Sequence, residues 1–118
     1  LEKMPQPVIA AVDGMAWGMG SEIALGCDFR ICTNRATFAQ PEINLGIITG
    51  GGASQRLPRV IGKAKAMEMI LTGDPVEADR ALGMGLVNRV CPPEDLMATA
   101  RELASAISVR PKLAVQYC

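Results

Sequence analysis

Pro7-Val8-Ile9-Ala10-Ala11-Val12-Asp13-Gly14, running directly into Met15-Ala16-Trp17-Gly18-Met19-Gly20-Ser21-Glu22, decides how the rest of the chain is read. Residues 8–12 are five apolar side chains in a row, closed by Pro7 on one side and Asp13-Gly14 on the other. A short unbroken apolar run with such borders reads as a strand buried on both faces. Gly14, Gly18 and Gly20 make residues 14–20 a turn. Residues 21–25 then read as a short helix, with Ser21 as N-cap and Gly26 ending it. Strand, turn and helix in immediate succession are the opening of an α/β fold.

The pattern continues in both registers. Residues 28–33 and 36–39 read as strands around a tight turn at Asn34-Arg35, and Pro41 starts a helical turn. After Gly50-Gly51-Gly52 the spacing becomes helical. Residues 53–60 are one helix whose length Pro58 limits, residues 63–71 a second closed by Gly73, and residues 77–84 a third. Residues 86–90 read as a strand. Pro92-Pro93 then lead into a long helix with Leu96, Ala100, Leu103 and Ile107 on one face, still running when the sequence stops at Cys118. There is no internal repeat, low-complexity tract or linker, so residues 1–118 form part of a single domain. Leu1 precedes the first strand by only a few residues, and the chain is expected to be a fragment.

Composition removes several classes of function. Lys+Arg and Asp+Glu are both 12 and aromatic residues are 3%, so neither a basic surface nor a stacking platform points to nucleic acid. No stretch approaches the ~20 apolar residues of a membrane span. Histidine is absent, which excludes a Ser-His-Asp triad, a Cys-His dyad and any His-containing zinc site within these residues. The four cysteines, Cys27, Cys32, Cys91 and Cys118, lack paired C-x-x-C spacing. They read as reduced small hydrophobes in a reducing compartment, the cytoplasm or, in a eukaryote, the mitochondrial matrix.

Three glycine clusters resemble phosphate loops and none completes one. Gly18-Met19-Gly20 would need glycine at position 23, which is Ile23; Gly50-Gly51-Gly52 lacks a following Gly-Lys-Ser/Thr; and Gly62-Lys63 has Leu57 where the upstream glycine belongs. The other use of glycine is to open a helix N-terminus to a ligand, where unpaired N–H groups suit a developing oxyanion. Glu22 follows such a turn at once, Glu42 lies in the first turn after Pro41, and each stands beside a glycine-rich turn. Each is accounted for as a first-turn acid complementing a helix dipole. Equally, two carboxylates twenty positions apart can converge to remove one proton and deliver another. Spacing alone does not choose. Lys63, Lys65 and Glu68 fit a solvated helix face, Arg56 and Arg59 carry no assigned role, and Asp28 reads as a structural hydrogen-bonding acid. Trp17 reads as packing, with a pocket wall as the other reading.

Together these motifs resemble the crotonase (enoyl-CoA hydratase/isomerase) superfamily. The residues that carry the resemblance are 7–14 with Ala16, Gly18, Gly20 and Glu22; Phe38-Ala39-Gln40-Pro41-Glu42 with Leu45-Gly46; residues 50–57; Ala66-Met67-Glu68-Met69 with Leu71-Thr72-Gly73; and Gly85-Leu86-Val87-Asn88. They occur in order over nearly the whole chain. The resemblance implies a ClpP/crotonase-like spiral of ββα units with a C-terminal helical region, of which this chain holds the central and C-terminal part. It also implies a homotrimer or dimer of trimers that binds acyl-CoA thioesters.

By the same resemblance, trans-2-enoyl-CoA would be hydrated to 3-hydroxyacyl-CoA, as in fatty-acid β-oxidation. Glu22 would act toward the water and Glu42 would supply the α-proton. The Met19 N–H would serve as one oxyanion donor, the Gly50 N–H would help hold the water, and Trp17 and Gly18 would line the pocket. Met19 stands where the family usually carries a small residue, often glycine. The second oxyanion donor would lie before Leu1. No metal or redox cofactor is implied, since coenzyme A is part of the substrate. The alternatives are double-bond isomerisation or other crotonase-family chemistry, and a non-catalytic acyl-CoA-binding or oligomerising piece.

Overall fold

The computed structural model describes residue 1 and residues 3–117; Cys118 lies outside the described residues. Strand β1 (Ile9–Val12) is parallel to β3 (Phe29–Thr33), with Ile9 opposite Phe29 and Val12 opposite Cys32. On its other side β3 is parallel to β6 (Arg89–Cys91). A second sheet holds β2 (Met15–Trp17), β4 (Thr37–Ala39) and β5 (Val76–Glu77), the first two parallel and the last antiparallel. Consecutive strands therefore alternate between sheets: β1 then β2, β3 then β4. Helix α1 (Met19–Leu25) follows the first pair and a 3-10 helix over Pro41–Leu45 follows the second. This is the repeating ββα pattern that the resemblance implied.

The step between sheets is made at Asp13-Gly14, where Gly14 has φ +85°. That left-handed conformation is costly for a residue with a Cβ and open to glycine. Asp13 clamps the same corner by accepting hydrogen bonds from Thr33 Oγ1 (2.9 Å) and Arg35 Nε (2.7 Å). Asp28 is the structural acid expected of it: its Oδ2 accepts the Val8 N–H at 2.7 Å and holds β1 to the start of β3.

The remaining helices are α2 (Ala53–Ile61), α3 (Lys63–Thr72), α4 (Ala78–Gly83), α5 (Leu96–Ser108) and α6 (Lys112–Gln116). Strand β3 is the buried centre. Cys32 joins Phe38, Leu57, Met69 and Leu86 in the main core, while its neighbour Ile31 packs on Leu96 and Ala100 of α5. Alternate side chains of one strand thus serve cores on opposite faces. Among the described residues no helix is long and apolar enough to cross a membrane.

Several local expectations are corrected. β1 is not buried on both faces: it is an edge strand and Ala11 is exposed. Residues 15–17 are strand rather than turn, because their pairing partner, Thr37–Ala39, lies far downstream and is invisible to local reading. Gly18, not Ser21, caps α1, so Ser21 sits inside the helix. Pro58 does not limit α2, which continues to Ile61. The N–H that proline lacks would have paired with the Ser54 carbonyl, and Ser54 is exposed to water. The strand expected over 86–90 begins only at Arg89, with Leu86 and Val87 buried in the bend before it.

Candidate active site

Glu22 sits in the first turn of α1 and is only 4% exposed. Its Oε1 accepts the Ala53 N–H at 3.0 Å. Ala53 opens α2, so the carboxylate lies at that helix's N-terminus, where the backbone dipole complements a negative charge by ~0.3–2 kcal/mol. Gly51 makes this approach possible: an added Cβ there would overlap the Glu22 carboxylate. The Gly50-Gly51-Gly52 run is therefore a passage for a side chain as much as a turn.

Glu42 is half-buried in the first turn of the 3-10 helix behind Pro41. Its Oε1 lies 3.3 Å from where a Cβ on Gly18 would stand, and Gly18 has φ +52°. Its Oε2 is buried and has no hydrogen-bond donor among the described residues. Buried polar atoms are paired in the great majority of cases, so an open carboxylate oxygen at this depth calls for a reason. The structure thus sets Glu42 beside the residue that caps α1 and Glu22 one turn further along the same helix; the Glu22 N–H donates to the Gly18 carbonyl at 2.9 Å.

Met19 is the first residue of α1, so its N–H is one of the helix's unpaired opening donors. Its side chain is 62% exposed. A cavity of about 190 Å³ opens here, lined by Met19, Glu22, Ile23, Gly51 and Arg56 together with Leu1 and Gly26. Glu42, Trp17, Gly18 and Gly50 do not line it. Trp17 lies in β2 rather than at a turn tip; its Nε1 donates to Thr37 Oγ1 at 2.9 Å and the residue is 41% exposed. Nothing lies within 4 Å of a Cβ added to Gly50.

Two participants escaped the sequence reading. The Ala53 N–H was invisible because a backbone donor carries no residue signature, although a helix opening directly after a glycine run is the place to look. Arg56 carried no assigned role from sequence, yet its Nη1 turns back to donate to the Gly51 carbonyl at 2.9 Å and its guanidinium fills the space over Gly52. The glycine four residues before it was the available clue. A shielded carboxylate, a second one with an open oxygen and a free helix-opening N–H can together move protons around a substrate carbonyl.

A family model described as Enoyl-CoA hydratase/isomerase matches residues 1–118, and the chain belongs to that family. It is 47% identical over 116 residues to a crotonyl-CoA hydratase of Syntrophomonas wolfei, covering 98% of this chain and 45% of that protein. It is 48% identical over 116 residues to a short-chain-enoyl-CoA hydratase of Clostridium acetobutylicum, with 98% and 44% covered. The crystal structure of an enoyl-CoA hydratase from Bacillus anthracis superposes with a TM-score of 0.96 at 45% identity, over 98% of this chain and 45% of that one. The chain spans a little under half the length of these relatives.

Proposed function

We propose that this chain supplies the acid–base half of an enzyme that hydrates trans-2-enoyl-CoA thioesters to 3-hydroxyacyl-CoA. The water oxygen bonds to the β-carbon while Glu22 takes up a proton, and the electron pair of the C=C bond moves into the thioester as an enolate. The Met19 N–H stabilises the enolate oxygen, and Glu42 delivers a proton to the α-carbon. The Gly50 N–H holds the water. One preorganised oxyanion donor is worth about 3–4 kcal/mol in the transition state. The reaction draws on no metal or redox cofactor, because the thioester itself activates the double bond.

The observation that carries this reading is the placement of the two acids around one helix entry, Glu42 beside Gly18 and Glu22 a turn later. The names of the relatives, crotonyl-CoA and short-chain-enoyl-CoA hydratases, support the same substrate class. The complete enzyme would be a homotrimer or dimer of trimers in the cytoplasm or the mitochondrial matrix. In the complete protein, Glu22→Gln and Glu42→Gln are each expected to lower kcat by at least ~100-fold. Near-normal loss of enoyl-thioester absorbance in either variant would overturn the assignment.

A further inference from the structure

Ser21, immediately before Glu22, and Gln40, two residues before Glu42, touch each other. Ser21 and Gln40 are 1% and 0% exposed, and Gln40 Nε2 donates to Ser21 Oγ at 2.9 Å. On the strand side, β2 and β4 end their ladder at Trp17 and Ala39, and the Gly18 N–H adds one further bond to the Ala39 carbonyl at 3.0 Å. Beyond that point one segment becomes α1 and the other the 3-10 helix, so backbone pairing stops just short of both acids. Core packing of Leu25 and the Ala53 bond to Glu22 seat α1 on α2 and the core, whereas toward Pro41–Leu45 its backbone tie is the one at Gly18. The side-chain tie from Ser21 to Gln40 is a second link to that segment, one turn further along.

Each end of this tie transmits to an acid through one short, stiff step. Ser21 and Glu22 are neighbours inside one helix, so their directions differ by a fixed rotation. Gln40 is joined to Glu42 through Pro41, whose ring locks φ. Gln40 is also an odd choice for packing alone, because its Oε1 is buried with no donor among the described residues. An apolar side chain would avoid that cost. We propose that the Ser21–Gln40 hydrogen bond is a positioning device that holds Glu22 and Glu42 at their working angle, with neither residue touching the substrate. The proposal rests on the two-acid reading given above.

The test uses the complete protein with Ser21→Ala, Gln40→Met and the double variant, each compared with wild type for kcat, KM and Tm. Misplacing a catalytic group by a fraction of an ångström to an ångström is expected to lower kcat about 10- to 100-fold in each single variant while KM changes less than about threefold. The double variant is expected to be no slower than the worse single, because both remove one bond. Ser21→Cys, which keeps the size and weakens the acceptor, carries the same comparison if the alanine variant does not fold. Losses that multiply in the double variant would overturn the proposal. So would kcat within about twofold of wild type in folded single variants whose Glu22→Gln and Glu42→Gln counterparts are inactive; the two-acid reading would then stand. Full activity in the Glu→Gln variants would overturn both.

Discussion

Gly51 and Gly50 are neighbours in sequence with opposite demands on them. A Cβ on Gly51 would occupy the space of the Glu22 carboxylate, whereas a Cβ on Gly50 meets nothing within 4 Å. Gly51→Ala is therefore expected to push Glu22 off the Ala53 N–H and to lower kcat at least ~10-fold, with Gly50→Ala changing it less than about threefold. Steady-state kinetics on the two variants side by side check this; equal effects would show that the carboxylate moves aside freely. Asp13 offers a second test at this scale. Hydrogen bonds from Arg35 and then Thr33 hold its carboxyl down to about 2 from an ordinary 3.8. A depressed folded-state value means stability that is fully present above pH 4 and lost as pH falls from about 4 toward 2. The Tm gap between wild type and Asp13→Asn should accordingly be present at neutral pH and close over that window. The pair is open to solvent, so added salt should narrow the gap as well. A gap that is constant with pH would contradict the clamp.

Among the elements, α2 does two jobs with one geometry. Its Ala53, Leu57 and Ile61 recur every fourth residue and are buried, while the N–H of its first residue holds Glu22. The packing face thus anchors the helix whose N-terminus orients the acid. Leu57→Ala is expected to cost about 2–5 kcal/mol in chemical denaturation, because a fully buried leucine leaves a cavity that its neighbours fill only in part. Less than about 1 kcal/mol would mean that α2 is not seated on the core. That α2 is a helix was readable from the sequence, and so was α3 with its Gly73 cap at φ +70°. Strand β2 was not, since three residues flanked by glycines have no periodicity of their own and exist as a strand only through β4.

For the molecule as a whole, the three described cysteines report on cooperative opening. Cys27 and Cys32 are buried, Cys91 is half-buried, and all are free. Burial pushes the Cys32 thiol up to about 11, with Cys91 and Asp79 adding to the shift, and burial also raises Cys27. The thiolate is the reactive form, so native Cys32 should react with a disulfide reagent only as fast as the fold opens, and denaturant should release it. Fast labelling under native conditions would show that β3 is accessible. Local chemistry alone determined much of this protein. Apolar runs, glycine breaks and helical spacing marked most elements, and the ordered motifs marked the family, because such signals lie within a few residues of one another. The tertiary structure alone decided which glycine admits Glu22, that Ala53 donates to it, that Ser21 lies inside α1 and meets Gln40, and that β1 lies at an edge. Each of these is a contact or a pairing choice between segments far apart along the chain, and such a choice is made by packing, which no short window of sequence contains.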